Sequence, residues 1–278
     1  MSEMRNEERG EREERLLLSR LEELCARADR GCFCATAFLT PREAMLAGRA
    51  LAARGASERA VFFGGYAGAE RTRLLLFPDY VLEAAGAEGG EPPEMTMLCA
   101  LVGEEEVVAA IRVQGSGYRT LTHRDYLGSL LALGVEREVL GDIVVENDAS
   151  ALIFCLPHMV PFLLSTVERI ASDAVKLRRE DVPADYVGAR RRVEVRDTVA
   201  SARLDCVVAA LAGLSRDAAQ GAIREGRVEL DYETEERTDR TVPAPCVLSV
   251  RGVGKFAVRA LSDVTKKGRL RLVADKYV

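Results

Sequence analysis

Histidine is scarce in this sequence, which limits the enzyme chemistry that the chain can carry. The 278 residues include two histidines, His123 and His158, and no Gly-x-Ser-x-Gly segment. A Ser-His-Asp hydrolase therefore has almost no support, because its histidine base must lie beside an exposed serine. The triplet His123-Arg124-Asp125 is similar to a kinase catalytic loop. However, Leu130 stands where the magnesium-binding asparagine belongs, and no Asp-Phe-Gly follows, so the triplet is interpreted as a helix start.

Long apolar runs and paired cysteines are also lacking. No apolar run approaches the length of a membrane-spanning helix, and the charged segment 1–9 is unlike a secretory signal. Seven scattered cysteines, an odd number, are typical of reduced thiols in a cytoplasmic protein. Cys32 and Cys34 form the one close pair, and neither histidine is near them in sequence. We therefore expect a cytoplasmic protein without a membrane segment, a metal ion or a cofactor.

Negative charge predominates overall, but the two ends of the chain differ. The net charge of −5 by itself disfavours nucleic-acid binding. Residues 190–278 contain 18 Lys and Arg against 13 Asp and Glu, whereas residues 1–189 contain 21 against 31. Such asymmetry is typical of a chain with a localised binding domain, so the basic C-terminal part is the candidate RNA-binding module.

The organising segment of the sequence runs from residue 201 to residue 258. Apolar residues recur with helical spacing from Leu204 to Leu214, and Ser215 is placed to cap a second helix that ends at Gly226. Alternating residues then predict short strands at 227–230, 247–250 and 255–258. The side chains expected in the core are Leu204, Val208, Leu211, Ile223 and Val250.

The polar positions of this segment are rich in arginine. They lie at the predicted ends of helices and strands, where long side chains can gather on one surface. Guanidinium groups suit phosphate oxygens because their planar fork donates two parallel hydrogen bonds. The residues predicted to bind RNA are Arg203, Ser215, Arg216, Arg224, Arg227, Arg251 and Lys255.

The order of these residues resembles the S-four RNA-binding domain, which is named after a small-subunit ribosomal protein. The resemblance rests on the Arg-Leu-Asp segment at 203–205, Ser215-Arg216, the segment 223–228 and the segment 249–256. It covers about sixty residues. Leu230-Asp231 and Pro245-Cys246 depart from the family pattern, and both lie in the turn region.

The preceding 190 residues alternate between helix and strand patterns. Helices are predicted at 1–30, 41–55, 123–133 and 157–170, and the second of these has a capping box at Thr40-Pro-Arg-Glu43. Strands are predicted at 60–63, 73–77, 95–102, 107–113, 142–146, 150–155 and 174–177. A loop is predicted at 83–94, an acidic turn at 104–106 and a polar linker at 178–192.

These elements predict an α+β fold in three parts. Residues 1–72 form an N-terminal helical and α/β part, and residues 73–180 form a ferredoxin-like plait similar to RNA-recognition domains. Residues 181–278 hold the linker and the S-four domain, with two helices and short strands. The stacking aromatics that such a plait uses are not evident, so no base contact is assigned to its sheet.

A glycine-rich turn at residues 64–71 suggests a phosphate loop, but it lacks the Gly-Lys-Ser/Thr ending that a nucleotide needs. We interpret it as a tight loop. Side chains of this turn, of the following strand and of the helix start near residue 123 are the candidates for a secondary RNA or domain contact. They are Tyr66, Arg71, Arg73, His123 and Arg124.

The motifs of the N-terminal parts resemble the YlmH family, and the resemblance spans nearly the whole chain. They occur in the family order at 38–43, 63–71, 78–80, 115–118, 123–130 and 141–143. The family is bacterial, with plastid relatives, and is often encoded near cell-division genes. The resemblance implies a non-catalytic protein that binds structured RNA, ribosomal RNA or tRNA, on large subunits that still hold peptidyl-tRNA after stalled translation. We expect a monomer when the protein is free.

Two other functions remain open from the sequence. One is an RNA-modifying enzyme, because S-four domains often accompany pseudouridine synthases or RNA methyltransferases. A pseudouridine synthase carries its catalytic aspartate in a Gly-Arg-Leu-Asp type of segment within a larger sheet domain. The Arg-Leu-Asp segment here, at 203–205, lies instead inside the S-four segment itself. A methyltransferase would need a glycine-rich cofactor turn, for which Gly115-Ser-Gly117 is too short. The other is an interaction factor in cell division.

For the RNA function, replacing Arg203 and Arg216 by alanine is expected to weaken RNA binding and to leave folding intact.

Overall fold

The computed structural model describes residues 2–85, 95–103, 107–183, 185–188, 192–264 and 268–277. The chain divides into two compact units, Met1–Ala189 and Arg190–Val278. Helices and strands both contribute to each unit, so the predicted α+β class is confirmed. The predicted division at residue 72 falls inside a strand, and the one at residue 180 lies close to the division between the two units.

The first unit begins with two helices and a three-stranded sheet. Its elements are α1 (Ser2–Ala28), β1 (Cys34–Leu39), α2 (Pro41–Arg54), β2 (Ala60–Phe63) and β3 (Thr72–Leu76). The strands are antiparallel in the order β1-β3-β2. The predicted capping box is confirmed, since Thr40 and Glu43 exchange backbone and side-chain hydrogen bonds. Strand β1 was not predicted.

Two short helices follow, α3 (Asp79–Ala84) and α4 (Met95–Leu101). The strand predicted at 95–102 is therefore wrong. Its core side chains include Met95, Leu98, Cys99 and Val102, whose spacing is that of one helix face, so tertiary packing selects a helix from a short apolar run. The loop predicted at 83–94 begins inside α3, and its residues 86–94 lie outside the described residues, as does the predicted acidic turn at 104–106.

A five-stranded antiparallel sheet forms the rest of this unit. Its elements in chain order are β4 (Ala109–Gly115), α5 (His123–Ala132), β5 (Leu140–Asn147), β6 (Ser150–Cys155), α6 (Val160–Thr166), β7 (Arg169–Ile170) and β8 (Asp173–Glu180). The strand order is β5-β6-β4-β8-β7, so β4 to β8 have the connectivity of a βαββαβ unit with β7 added at the edge. The helix predicted at 157–170 ends earlier, because Arg169 and Ile170 pair with β8.

Both faces of this sheet are covered. On one face Ile111 and Ile153 pack against α5 and α6 in one apolar cluster. On the other face Leu152 and Phe154 share a second cluster with Phe38 of β1, with Leu75 of β3 and with the short helices. The face through which RNA-recognition plaits bind bases is therefore occupied by protein over its apolar part.

The second unit consists of two helices packed on a six-stranded sheet. Its elements are β9 (Arg192–Val199), α7 (Leu204–Ala212), α8 (Arg216–Arg224), β10 (Val228–Leu230), β11 (Glu233–Thr234), β12 (Cys246–Val250), β13 (Gly254–Val264) and β14 (Leu270–Tyr277). The strand order is β11-β10-β12-β13-β14-β9. All five predicted core residues, Leu204, Val208, Leu211, Ile223 and Val250, are buried. The long strands β9 and β14 were missed.

The segment predicted as a polar linker, 178–192, is largely ordered structure. Arg178 lies in β8, and Arg192 begins β9. Between them, Tyr186 stacks edge-on against Tyr66, and a Cβ on Gly188 would lie 2.6 Å from the Tyr66 ring. Residues 184 and 189–191 of the segment lie outside the described residues.

Candidate nucleic-acid interface

A buried aspartate joins two of the predicted RNA-binding arginines. Asp205, in the first turn of α7, is fully buried and accepts hydrogen bonds from Arg203 at 3.1 and 3.0 Å. Arg216, the first residue of α8, donates to the same carboxylate at 3.2 and 3.1 Å, and Gln220 donates at 2.8 Å. The two arginine side chains are themselves 41% and 56% exposed. One buried anion thus holds two guanidinium groups at the surface.

The charge of Asp205 is strongly stabilised. Burial acts to raise the pKa of its carboxyl, but the hydrogen bonds from Arg203, Gln220 and Arg216 outweigh burial and hold that pKa well below its usual value of 3.8. The same contact raises the pKa of Arg203. The carboxylate is therefore ionised throughout the neutral range, and both arginines are fixed in the geometry that it imposes.

Ser215 and Arg224 mark the two ends of α8. The Ser215 hydroxyl accepts a hydrogen bond from the backbone N–H of Ala218 at 3.2 Å, so the predicted cap is confirmed. Arg224 is exposed in the last turn, before Gly226, which has a left-handed φ of 63°. Ser215 lies next to the Asp205 cluster in sequence, whereas Arg224 lies at the opposite end of the helix.

Three further candidates line a surface groove on the sheet. The groove has a volume of about 570 Å³ and is lined by Arg227, Arg251 and Lys255 among its residues. The backbone of Arg251 donates to the carbonyl of Arg227 at 2.9 Å, so the two arginines are neighbours across the edge of β10 and β12. The Arg227 guanidinium is 2.8 Å from Glu225. The structure therefore gives a helix-end group, which is Arg203 and Arg216 around Asp205, and a groove group, which is Arg227, Arg251 and Lys255; Ser215 and Arg224, at the two ends of α8, belong to neither group.

Two tyrosines that the sequence reasoning missed lie beside Lys255 of the groove group. The Lys255 ammonium lies 4.8 Å from the ring centre of Tyr232 and 5.4 Å from that of Tyr277. Tyr232 occupies the two-residue turn between β10 and β11, and both it and Asp231 have positive φ, 66° and 50°. An aromatic residue at positive φ is strained, and such strain is most often retained at functional positions. The departure from the S-four pattern at 230–231 was the one sequence signal for this turn.

Two candidates of the first unit are buried rather than exposed to a ligand. Tyr66 donates a hydrogen bond to the buried Asp142 at 2.7 Å. The Arg71 guanidinium donates to the carbonyls of Leu140 at 2.9 Å, Phe38 at 3.0 Å and Arg137 at 3.1 Å. Burial lowers the pKa of Arg71. These side chains fasten the glycine-rich turn to β5 and β1, which leaves them no surface for RNA.

The remaining candidates differ from one another in exposure. Arg73 is half-buried and donates to the carbonyl of Thr36 at 2.7 Å and to that of Val107, so it also holds strands together. His123 and Arg124 are exposed in the first turn of α5. The capping box of that helix, formed by Thr122 and Asp125, agrees with the interpretation of the His-Arg-Asp triplet as a helix start.

In the part of the chain that the structure describes, no three His, Cys, Asp or Glu side chains cluster closely enough to hold a metal ion. No described helix is long and apolar enough to cross a bilayer. All seven cysteines are unbridged thiols, of which Cys32 is exposed. Cys34 points its sulfur at the carbonyl of Cys32, 3.6 Å away.

This chain is similar to one family model and to two known proteins. The family model described as "Putative RNA-binding domain in YlmH" matches residues 108–184, which are the five-stranded sheet and its helices. The chain is 30% identical over 243 residues to the "Ribosome-associated protein quality control protein P2" of Bacillus subtilis (strain 168), covering 87% of this chain and 86% of that protein. Among solved structures, "Cell division protein ylmH from Streptococcus pneumoniae" is similar with a TM-score of 0.45 and 23% identity, over 61% of this chain and 92% of that one. Because the similarity to the Bacillus subtilis protein extends over most of both sequences, this chain belongs to the YlmH family.

Proposed function

We propose that this protein is a non-catalytic RNA-binding factor that acts on the ribosome in ribosome-associated quality control. It would bind ribosomal RNA, and tRNA, on large subunits that carry stalled peptidyl-tRNA. The observation that carries the proposal is the 30% identity, over 87% of the chain, to a relative whose name places it in that process. The model match to an RNA-binding domain at residues 108–184 adds independent support.

In the second unit, which we propose to be an S-four type domain, the helix-end group would make the main phosphate contact. Arg203 and Arg216 each use Nε and Nη2 for Asp205, so their Nη1 groups are the donors for phosphate oxygens. Holding both side chains in place before binding reduces the entropy lost when RNA arrives. Ser215, Arg224, Arg227, Arg251 and Lys255 would contribute further contacts.

The environment of Asp205 supports a role without catalysis. It is the one aspartate in an Arg-Leu-Asp segment, the type of segment that carries the catalytic aspartate of pseudouridine synthases. A catalytic carboxylate must reach its substrate, but this one is fully buried and engaged by Arg203, Arg216 and Gln220. It therefore serves to position the arginines.

The burial of Asp205 also changes the variant that tests the proposal. Alanine at both 203 and 216 would leave a buried carboxylate with Gln220 as its remaining side-chain amide donor, and an uncompensated buried charge is strongly destabilising. The alanine pair expected from sequence to fold normally is thus a poor test. Glutamine at both positions also removes the positive charges, but it keeps an amide that can donate to the carboxylate, so R203Q/R216Q should lose less stability than the alanine pair.

The experiment is sedimentation of tagged protein from cell lysate on sucrose gradients, over a range of salt concentrations. We expect the wild-type protein to co-migrate with free large subunits and R203Q/R216Q to be released at lower salt. In direct titrations with purified ribosomal RNA, each lost phosphate contact should lower the salt slope by about 0.7–0.9. The matched control is R196Q/R259Q, which removes two exposed arginine charges from strands of the same unit.

Two results would contradict the proposal. If the wild-type protein stays at the top of the gradient at every salt concentration, it does not act on ribosomal subunits. If R203Q/R216Q and R196Q/R259Q lose binding equally, the helix-end group has no specific role, and the interaction depends on net charge alone.

A further inference from the structure

One aromatic side chain of the first unit is almost completely exposed. Tyr118 is 98% exposed, on the loop between β4 and α5. Residues 115–122 are all described, and within them the other large apolar side chain, Leu121, is buried. The ring of Tyr118 therefore projects into solvent alone and contributes nothing to the core.

The loop that carries this ring is held by hydrogen bonds on both sides. Asp173 accepts from the backbone N–H of Ser116 at 2.9 Å and from its hydroxyl. The backbone of Gly115 donates to Ala149 at 2.7 Å, and that of Leu121 donates to Asp148 at 3.0 Å. A Cβ on Gly115 would lie 2.7 Å from an oxygen of Asp173, so a larger residue here would displace that carboxylate.

Three arginines lie on this loop or on the elements that adjoin it. Arg119 donates to the Ser172 hydroxyl at 2.8 Å and to Asp125 at 3.3 Å, which ties the loop to α5 and to the turn before β8. Arg169 donates to the carbonyl of Ser172 at 2.6 Å, on the same turn. Arg124 is exposed in the first turn of α5, beside Asp125. One aromatic ring and three guanidinium groups thus share this end of the five-stranded sheet.

We propose that Tyr118 stacks on an unpaired base of RNA, and that Arg119, Arg124 and Arg169 contact the neighbouring phosphates. This inference rests on the proposed RNA-binding function and names the surface of the first unit that serves it. The sheet face that usually carries the stacking aromatics is packed against Phe38 and Leu75, so base contact moves to the loop. A lone exposed ring with arginines on the adjoining elements suits a nucleotide better than a protein partner, which would need a broader apolar patch.

The test measures binding of the full-length protein to two fluorescent RNAs by anisotropy. One is a stem closed by an unpaired loop, and the other is the same stem as a blunt duplex. The variants are Tyr118→Ala, Tyr118→Phe and, as a matched control, Tyr80→Ala, which removes a tyrosine that is 54% exposed on α3. Because Tyr118 makes no core contact, its replacement leaves folding unchanged.

We expect Tyr118→Ala to weaken binding to the looped RNA roughly 5- to 150-fold, as the loss of one base–aromatic stack should. Its affinity for the duplex should not change. Tyr118→Phe should bind both RNAs like the wild type because it keeps the ring, and Tyr80→Ala should do the same.

Three outcomes would overturn the inference, and they are distinguishable. Equal affinities of Tyr118→Ala and wild type for the looped RNA would remove Tyr118 from the RNA surface while leaving the proposed function standing. Unchanged RNA affinity together with lost co-sedimentation with large subunits would assign the loop to a protein partner instead. A wild-type protein that binds neither these RNAs nor ribosomal subunits would refute the proposed function together with this inference.

Discussion

Replacing Asp205 by asparagine tests whether one buried carboxylate organises the helix-end group. Asparagine has nearly the same shape, but it loses the charge and turns an N–H₂ group towards donors. The carboxylate is fully buried and accepts charge-assisted hydrogen bonds from Arg203 and Arg216. A hydrogen bond to a charged group is worth about 1.5–3 kcal/mol. Since both arginines are about half exposed to water, we expect a net loss of about 1–3 kcal/mol in the free energy of unfolding.

This loss in the free energy of unfolding should depend on pH, and the lowered pKa of Asp205 determines the direction of that dependence. In the folded protein the pKa of Asp205 lies well below its ordinary value of 3.8. The ionised carboxylate therefore stabilises the fold fully above the unfolded-state pKa, at about pH 5 and higher, and this stabilisation declines as the pH falls towards the folded-state pKa. The difference in stability between wild type and Asp205→Asn should be largest near neutral pH and should shrink below about pH 4.

The assay is urea unfolding of the full-length protein at several pH values, with hydrogen exchange of the α7 and α8 amides to assign the transition to the second unit. For a unit of this size, each 1 kcal/mol corresponds to about 4–8 °C in Tm. Asp197→Asn is the control because it makes the same charge change at an exposed position of β9. The reasoning fails if Asp205→Asn is as stable as Asp197→Asn at pH 7, or if its deficit persists undiminished in acid.

Two further predictions concern the packing of the first unit and the reactivity of the thiols. Gly65 has φ of 96°, and a Cβ there would lie 2.5 Å from the Phe154 ring, so Gly65→Ala should lower the free energy of unfolding by about 2 kcal/mol or more in urea titrations. Gly128→Ala, in α5 with open space around it, should be neutral or stabilising, and equal behaviour of the two variants would contradict the packing. Burial, and next the charge of Asp231, raise the pKa of the Cys246 thiol to about 12, while Cys32 is exposed. Ellman's reagent should therefore label Cys32 rapidly in the native protein and Cys246 only after unfolding, and labelling of Cys246 at the rate of Cys32 would show that this core is open.

Signals confined to a few neighbouring residues made much of the fold predictable. Thr40 and Ser215 cap helices as their sequence contexts predict, because a hydroxyl at that position satisfies a backbone N–H without any tertiary contact. The five predicted core residues of the second unit lie on the buried faces that their spacing indicates. The hairpin of β5 and β6 also follows its sequence pattern, with the turn at 148–149.

Elements whose identity depends on distant partners were missed. Strand β14 lies between β13 and β9 in the sheet, and β9, which pairs with it over residues 192–199 and 270–277, is more than seventy positions away. Segment 95–101 has an apolar pattern that is compatible with a strand or a helix, and its packing beside Leu75 and Phe77 favours the helix. Short-range periodicity carries no information about the distant pairing of β14 with β9 or about the packing that selects the helix at 95–101.

The candidate site was predictable in its residue types but not in its arrangement. The sequence identifies Arg203 and Arg216 as exposed cations, yet their common partner, Asp205, was noted only as part of a motif. An acidic residue between the buried Leu204 and Val207 was a usable signal, because a charge on a buried helix face needs partners. The burial of Arg71 was not predictable from its own residue type. The glycines before it allow the turn to fold inwards onto Asp142.

Net charge is a poor guide to where this protein would bind RNA. The first unit has an excess of ten acidic residues, which by itself opposes binding to a polyanion. At physiological ionic strength, however, charges more than about 8 Å apart are largely screened, so the local composition decides. Around Tyr118, Asp125 and Asp173 already accept hydrogen bonds from Arg119 and Ser116, while the ring itself stays exposed. Lowering the salt should therefore strengthen binding at the basic second unit more steeply than at the Tyr118 loop, where repulsion from the acidic remainder grows as screening is lost. If the two units divide the roles in this way, Tyr118→Ala should leave the salt slope of RNA binding unchanged, whereas R203Q/R216Q should reduce it.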